Sequence, residues 1–478
     1  MTLRRPTAAV WLIIVAALSV ASPAAAAPAG STLLVSRPDG LGPAPAPLDN
    51  TSVAVALSDD GRYAAFVSRA PFAAGADQRL VNLFVRDTLT GTTTLASRSD
   101  GSGGALVHDD IDPSRGAAVA VEPGAVALDP PHDQPHVLVA FATTATNLSD
   151  HRTGTAATGG VEQVWLRDIT ASTTYLVSRT DGVGGAPANR DAADPSIAVT
   201  GSGPVIAFAS AATNLGTALN VYVRTLNDGR TLRVSCHQQN CASGGSASSA
   251  VQPSARFVSG PVPSLCSIGF ECVLVAFATD DGTITGDATN GRSHVVVASA
   301  TETATGLHQF DSWVTASKAD GSGTTFGNDT SFIPSLSPDG RAVAFISSAT
   351  NLVSQGSGFH EVYLRALDGS GSTTLVSRSS AGQPADGPAY DVSVGGDSAH
   401  RRVTFTALTS NFGVPNPFGF IGAWERDLST GTTELLDRAS GASGAFGDGP
   451  SSQAGISADG TRALFSSGSH NLDAGGGI

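Results

Sequence analysis

The sequence predicts an all-β fold: a seven-bladed β-propeller of four-stranded antiparallel blades, its last blade closed by the N-terminal strand. Three observations lead there. A strand phrase of the type Val-Ala-Phe-x-Ser recurs seven times, centred on Phe66, Phe141, Phe208, Phe277, Phe345, Phe405 and Phe465, at spacings of 75, 67, 69, 68, 60 and 60 residues. One strand type at near-constant spacing means one unit copied in series. Each of the first six copies is followed by two further strand-like runs. The run Ser31-Thr32-Leu33-Leu34-Val35-Ser36-Arg37 matches a fourth strand with no blade before it. It therefore completes the last blade and leaves no open end.

The fifth copy shows the unit best. Ile333-Pro334-Ser335-Leu336-Ser337 is a short first strand, and Pro338-Asp339-Gly340 a tight turn in which Gly accepts a positive φ. Arg341-Ala342-Val343-Ala344-Phe345-Ile346-Ser347 is almost wholly apolar, as a strand covered on both faces should be. Ala349-Thr350-Asn351-Leu352 ends it. Val362-Tyr363-Leu364-Arg365 is the third strand and Thr373-Thr374-Leu375-Val376-Ser377-Arg378 the fourth. Four such strands cannot bury both faces alone, but sheets stacked around a ring can. The fourth copy is worn: Val295-Val296-Val297-Ala298, then Trp313-Val314-Thr315-Ala316-Ser317-Lys318. After the seventh second strand comes Asn471-Leu472-Asp473 and no third strand. Either that blade has three strands or the natural sequence continues.

Composition agrees with many short strands and turns. Charged residues are 14% of the 478, with 55 Gly and 26 Pro. Arg4 and Arg5 precede the apolar run Ala8 to Ala21 and then Ser22-Pro23-Ala24-Ala25-Ala26-Ala27, the order of a secretory signal peptide with cleavage expected near Ala27. The twin-arginine pattern fits the flanks poorly, and no Cys is placed for a lipid anchor. Residues 28–478 then read as one domain. Removing the leader takes away two Arg and no acid, so the mature charge is 25 − 41 = −16. No basic patch stands out, which argues against nucleic acid as a partner. The apolar run is too short for a membrane span. All four cysteines lie together: Cys236, Cys241, Cys266 and Cys272. An even number in an exported chain suggests two disulfides, the short loops Cys236–Cys241 and Cys266–Cys272 being the simplest of three pairings. A metal site is the competing reading, at spacings that do not match a zinc ribbon.

The phrases Pro334-Ser335-Leu336-Ser337-Pro338-Asp339-Gly340-Arg341 and Ile456-Ser457-Ala458-Asp459-Gly460-Thr461-Arg462 resemble the repeats of TolB-like β-propellers, in a secreted bacterial subgroup. The resemblance spans residues 31 to about 472. It implies a fold and no particular activity, since propellers host many functions. The α/β domain of TolB and the hydrolase domain of prolyl-oligopeptidase relatives have no counterpart here, and Gly-x-Ser-x-Gly is absent. The loop that holds calcium in some members reads Ser354-Gln355-Gly356-Ser357-Gly358 and Gly216-Thr217-Ala218 here. In the fourth copy Asp287-Ala288-Thr289-Asn290-Gly291 supplies two side chains, Asp287 and Asn290, where a hard cation needs about six oxygens.

A residue copied in every blade holds the blade. That reading covers Arg37, Arg98, Arg179, Arg378, Arg438 and Lys318, with turn aspartates as expected partners, and Asp60, Asp339 and Asp459. Function belongs to residues that differ between copies. His108-Asp109-Asp110-Ile111-Asp112 enters the second blade and carries His108 and Asp110 as candidate ligands or acid–base groups. Against this, Asp112-Pro113-Ser114 aligns with Asp194-Pro195-Ser196. Asp129, His132, Asp133 and His136 fall in what reads as an insertion, Gly116 to Pro135; His132 and His136 have metal spacing, but Pro130, Pro131 and Pro135 forbid the helix that would use it. Trp165 and Trp424 occupy the Tyr363 position and read as packing.

The expected function is that of a secreted, non-enzymatic propeller, a monomer, presenting loops to a protein or glycan of the cell envelope, with no cofactor. It would be secreted, periplasmic or envelope-bound. The alternative is a propeller enzyme, a polysaccharide lyase or hydrolase, in which His108, Asp110, Asp191 and His360 or a similar set would meet at the axial mouth.

Overall fold

The computed structural model describes residues 32–40, 52–123, 134–157, 159–216, 219–236, 251–267, 269–285, 291–303, 306–439 and 444–472. They form antiparallel sheets in chain order. Sheet one is Val53–Leu57, Tyr63–Ser68, Asn82–Asp87 and Thr92–Leu95; sheet two is Ala117–Glu122, His136–Thr143, Gln163–Asp168 and Thr173–Leu176. Sheet three is Ala192–Thr200, Gly203–Ser210, Asn220–Thr225 and Thr231–Arg233. Sheet four has five strands: Val251–Val258, Glu271–Thr279, His294–Thr303, and both Gly306–Leu307 and Ser312–Thr315 on the outer side of the third. Sheet five is Ser331–Leu336, Ala342–Ser347, Glu361–Ala366 and Thr373–Leu375; sheet six is Ala389–Gly395, Arg402–Ala407, Gly422–Asp427 and Thr432–Leu435. A last, two-stranded sheet pairs Ser451–Ile456 with Ala463–Ser467.

The first strand of each sheet contacts the first strand of the next, and Ser451–Ile456 returns to Val53–Leu57. The chain is thus a β-propeller of four-stranded antiparallel blades. Serine side chains stitch the inner strands. Ser196 Oγ accepts the Ala255 N–H at 3.0 Å, Ser254 Oγ that of Leu336 at 3.0 Å, and Ser335 Oγ that of Val394 at 3.2 Å. The two-stranded sheet is tied on both sides: Gly396 N–H donates to Ala458 O at 2.8 Å, and Ala458 N–H to Asp59 O at 2.8 Å.

The recurring Phe is the centre of each sheet's packing. In register, Phe66 faces Phe84 and Leu95 follows it; Phe141 faces Trp165 and Leu176; Phe345 faces Tyr363 and Leu375; Phe405 faces Trp424 and Leu435. In sheet four the third-strand partner of Phe277 is only Val296. The first–second strand turns follow the Ser-x-Asp-Gly reading. Ser337 Oγ donates to Asp339 at 2.6 Å and accepts the Ala342 N–H at 2.9 Å. Gly340 sits at φ 66°, and a Cβ there would come within 2.5 Å of Val258 in the neighbouring sheet, so both conformation and space demand Gly.

Four expectations need correction. Residues 32–40 carry no strand, although Val35 packs against Ala64, Leu57 and Leu464. The stretch from Gly116 is no insertion, because Ala117–Glu122 is the first strand of sheet two, paired with His136–Thr143. Asp112-Pro113-Ser114 does not repeat Asp194-Pro195-Ser196. Asp112 caps a single 3-10 turn, Pro113–Arg115, whereas Asp194 lies inside a strand at φ 55°. The fourth-strand basic residues bind mostly backbone carbonyls of their own following turn: Arg98 to Gly104 O, Arg378 to Gly382 O, Lys318 to Gly323 O. Arg179 adds an aspartate, Asp150, at 3.4 Å. Cys266 and Cys272 form a disulfide. Cys241, the leader and residues 124–133 with Asp129, His132 and Asp133 lie outside the described residues, as do Asp287 and Asn290. No helix among the described residues is long and apolar enough to cross a membrane.

Candidate functional site at the sheet rim

Copies of one unit share their structural residues, so a site must lie where equivalent positions differ. The residue just before each third strand is such a position. In five sheets its carbonyl accepts a hydrogen bond from the chain entering the next sheet: Val81 from Ile111, ahead of the first strand, and Glu162 from Ala192, Ser293 from Ser331, His360 from Ala389 and Ile421 from Ser451, which open theirs. These bonds, 2.7 to 3.0 Å long, fix one rim of the ring. The geometry is copied, while the side chains on it change from Val to Glu to Ser to His to Ile.

On the side of sheets two and three the rim is acidic. The Glu162 side chain is 8% exposed and meets Arg115 at 3.2 Å. The Glu162 N–H donates to Asp191 Oδ1 at 3.0 Å. Burial pushes the Glu162 carboxyl up to about 7; Arg115 opposes this, and the charges of Asp191, Asp112 and Asp194 add to it. A carboxyl half-protonated near neutrality both donates to and accepts from a hydroxyl. It also couples fold stability to pH. The folded-state value lies above the ordinary one, so this group favours the fold most at low pH and the contribution is lost as pH rises through about 7. Glu162→Gln is expected to flatten the fall in stability between pH 5 and 8 by roughly 2 kcal/mol, read from denaturant midpoints across that range. An unchanged pH slope would contradict it.

On the side of sheets five and six the rim is aromatic. Phe359 is 45% exposed, Tyr390 40% and Phe418 61%. Phe418 stacks on Phe420 at 5.6 Å, and His360 stands edge-on to Phe332 at 5.1 Å. Tyr390 follows Ala389, whose N–H is held by His360 O, so Phe359, His360 and Tyr390 share one stretch of rim. Phe418 lies in the loop before the third strand of sheet six.

The residues singled out from the sequence fall into two groups. Asp110 and Asp191 are rim residues in equivalent places, accepting the N–H of Val81 and of Glu162; Asp110 also pairs with Arg69 at 3.1 Å. His360 is on the rim. His108 is not. It fills a latch found in four of the sheets, in which an Asn after the second strand holds the chain entering the sheet. Asn147 Oδ1 takes the His108 N–H, Asn214 that of Asn189, Asn351 that of Asn328, and Asn471 that of Asp448. His108 also bonds through its ring to Asn147 and Thr146. His136 is buried against Asp168. Each of His108, Asp110, Asp191 and His360 is thus engaged with partners of its own. Among the described residues no three His, Cys, Asp or Glu side chains are grouped to hold a metal. A shallow hollow of about 300 Å³ lies beside His108, lined by Asp77, Arg79, Leu80, Leu106 and Val107.

One repeated device was not read from the sequence. The Arg two residues after each third-strand aromatic is buried and clamps the tail of the preceding sheet. Arg167 donates to Ser99 O at 3.0 Å, Gly101 O at 3.0 Å and Thr174 Oγ1 at 2.9 Å. Arg224 does the same to Thr180 O and Gly182 O, Arg365 to Ala319 O and Ser322 O, and Arg426 to Ser379 O. The tail aspartate answers: Asp100 Oδ1 takes the Thr174 N–H, Asp181 that of Thr231, Asp320 that of Thr373. Burial lowers the pKa of all four guanidinium groups, that of Arg224 to about 10, which leaves it charged at neutral pH. The signal was present as Arg at a fixed offset from the aromatic.

No family model matches the chain, and no curated protein is similar to it. Solved structures are. The TolB candidate of Agrobacterium tumefaciens is 14% identical, with a TM-score of 0.33, over 87% of this chain and 90% of its own. A GH93 α-L-arabinofuranosidase of Fusarium graminearum is 12% identical, TM-score 0.41, over 80% and 96%. A prolyl endopeptidase is 13% identical, TM-score 0.40, over 80% of this chain and 42% of its own length.

Proposed function

We propose that the chain is an exported, non-enzymatic binding module, a seven-bladed TolB-like propeller whose rim recognises a protein or glycan of the cell envelope. The observation that carries this reading is the exposure of Phe359 and Tyr390 on one stretch of rim and of Phe418 in the sheet-six loop, on a ring whose repeated residues are committed to holding sheets together. The disulfide Cys266–Cys272 supports an oxidising compartment.

The contacts of residues 32–40 support the reading of seven blades. Arg86 donates to Pro38 O at 3.0 Å and Gly40 O at 2.7 Å, and the Thr93 N–H goes to Asp39 Oδ1 at 2.7 Å. These are the bonds that Arg167 and Thr174 make to the tail of sheet one. Val35 packs against Phe66, Phe84 and Leu95, as Ala96 packs in the cluster of Phe141, Trp165 and Leu176. These contacts support residues 32–40 as the outer segment and tail of a seventh blade, with the two-stranded sheet as its inner part.

The test is a binding screen of the purified chain against immobilised glycans and envelope extract, with and without calcium. Retained ligand should be lost from Tyr390→Ala/Phe418→Ala protein that melts at the unchanged temperature. A chain that retains nothing, or a double variant that retains it all, would remove the rim from consideration.

A further inference from the structure

We propose that Asp437 makes the joint between sheet six and the two-stranded sheet a pH-sensitive fastening, firm in acid and loosened toward neutral pH. In five sheets the equivalent residue is a serine. Ser97, Ser178, Ser235, Ser317 and Ser377 accept through Oγ the N–H of Leu83, Val164, Val221, Val295 and Val362, at 2.9 to 3.1 Å. A polar residue opens the third strand beside that serine. Gln163 and Asn220 accept its hydroxyl at 2.6 and 2.9 Å, and the His294 ring bonds it at 3.0 Å. Sheet six has Asp437 for the serine and Gly422 for the polar residue. A Cβ at Gly422 would come within 2.8 Å of the Phe446 ring, so no side chain reaches Asp437 from that position.

Asp437 is 0% exposed. Its Oδ2 accepts the hydroxyl of Ser451, the residue that opens the two-stranded sheet, at 2.7 Å, and its Oδ1 has no partner. Its carbonyl takes the Gly447 N–H at 2.8 Å, and the Ser451 N–H goes to Ile421 O at 2.8 Å. The carboxyl therefore sits among the bonds that hold one sheet to the next. The charges on the elements around it are committed elsewhere or exposed. Arg402 pairs with Glu425 and Asp427, and Arg426 bonds Ser379 O. Glu434 lies opposite Glu425, and Arg438, next in the chain, points to the other side by the alternation of an extended strand. Ser451–Ile456 and Ala463–Ser467 carry no titratable side chain, and Asp448 and His470 are exposed and meet each other at 3.9 Å.

Burial pushes the Asp437 carboxyl up to about 7, against the bonds from Ser451 and the Ala423 N–H. The neutral acid is tolerated there; the anion is a buried charge with one oxygen unbonded. The folded value lies above the ordinary one, so the stabilising contribution is complete below about pH 4 and is lost as pH rises through about 7. The ring then stays shut in acid and parts more readily at this joint near neutrality.

Amide exchange of the full-length chain at pH 5 and pH 8, corrected for the intrinsic rate, reads this directly. Opening of Ser451–Ile456 is expected to rise about tenfold or more between the two, since a shift of about three pKa units allows up to about a hundredfold. Opening of Ser331–Leu336, whose joint carries Ser317 in the equivalent place, should change little. Asp437→Asn keeps the shape and removes the charge, and Asp437→Ser restores the residue of the other sheets; both should abolish the rise. A wild-type chain with no rise, a rise of the same size at Ser331–Leu336, or a rise retained in either folded variant would overturn the proposal.

Discussion

Arg224→Ala is expected to cost about 3–5 kcal/mol of folding stability, because it removes a buried charge that other buried groups depend on. Arg224 is 3% exposed. Its guanidinium bonds Thr180 O at 3.1 Å, Gly229 O at 2.6 Å, Gly182 O at 2.9 Å and Thr231 Oγ1 at 2.8 Å. Truncation leaves Thr180 O without this donor and reduces Gly229 O and Gly182 O to the backbone N–H groups of Gly182 and Gly185, in a seam between two sheets where an unmatched buried acceptor costs about 1–3 kcal/mol. Arg224→Lys should recover only a minor part. A point charge on a flexible stem cannot reproduce the planar fork that reaches both Gly182 and Gly229. Denaturant unfolding at constant m-value measures the loss. A cost under about 1 kcal/mol would show that the seam is held by apolar packing and that the clamp is incidental.

The second large effect is a contrast between two copies of one residue. Phe141→Ala should cost about 3–5 kcal/mol, and Phe465→Ala about 1 kcal/mol. Phe141 is 0% exposed beneath Trp165, so its loss leaves a cavity that the surrounding sheets cannot close. Phe465 is half-buried, and water reaches the space that truncation opens. Equal costs at the two positions, measured by the same unfolding experiment, would mean that Phe465 is covered as fully as its counterparts.

The repeat was legible because its most regular feature, an apolar strand with one central Phe, is set by burial on both faces. The Ser-x-Asp-Gly turns were legible because a positive φ at Gly61, Gly340 and Gly460 admits little else. The strand Ala117–Glu122 was not, since its Ala-Ala-Val-Ala-Val-Glu carries neither the Pro-Ser phrase nor a turn signal. Glu162 was passed over because a single Glu before a strand looks solvated in the sequence. Its burial comes from Arg115 and from the opening of the next sheet, contacts that only the ring creates. His108 misled for the opposite reason. Beside Asp109 and Asp110 it looks like chemistry, yet the latch it fills is held by Asn189, Asn328 and Asp448 elsewhere.

Sheet four departs from its neighbours in a way that affects the whole ring. Ala298 stands where the clamping Arg stands in five other sheets. The third and fourth sheets are joined instead by the Trp313 indole on Val234 O at 2.9 Å and by Ser196 on Ala255. A circle under thermal load parts where its joints are poorest, and a circle that has parted once becomes a linear stack whose end members can peel. Among the described residues the joint at Ala298 and the joint into the two-stranded sheet lack that clamp, so loss of structure would accordingly start at one of these two and run outward in both directions.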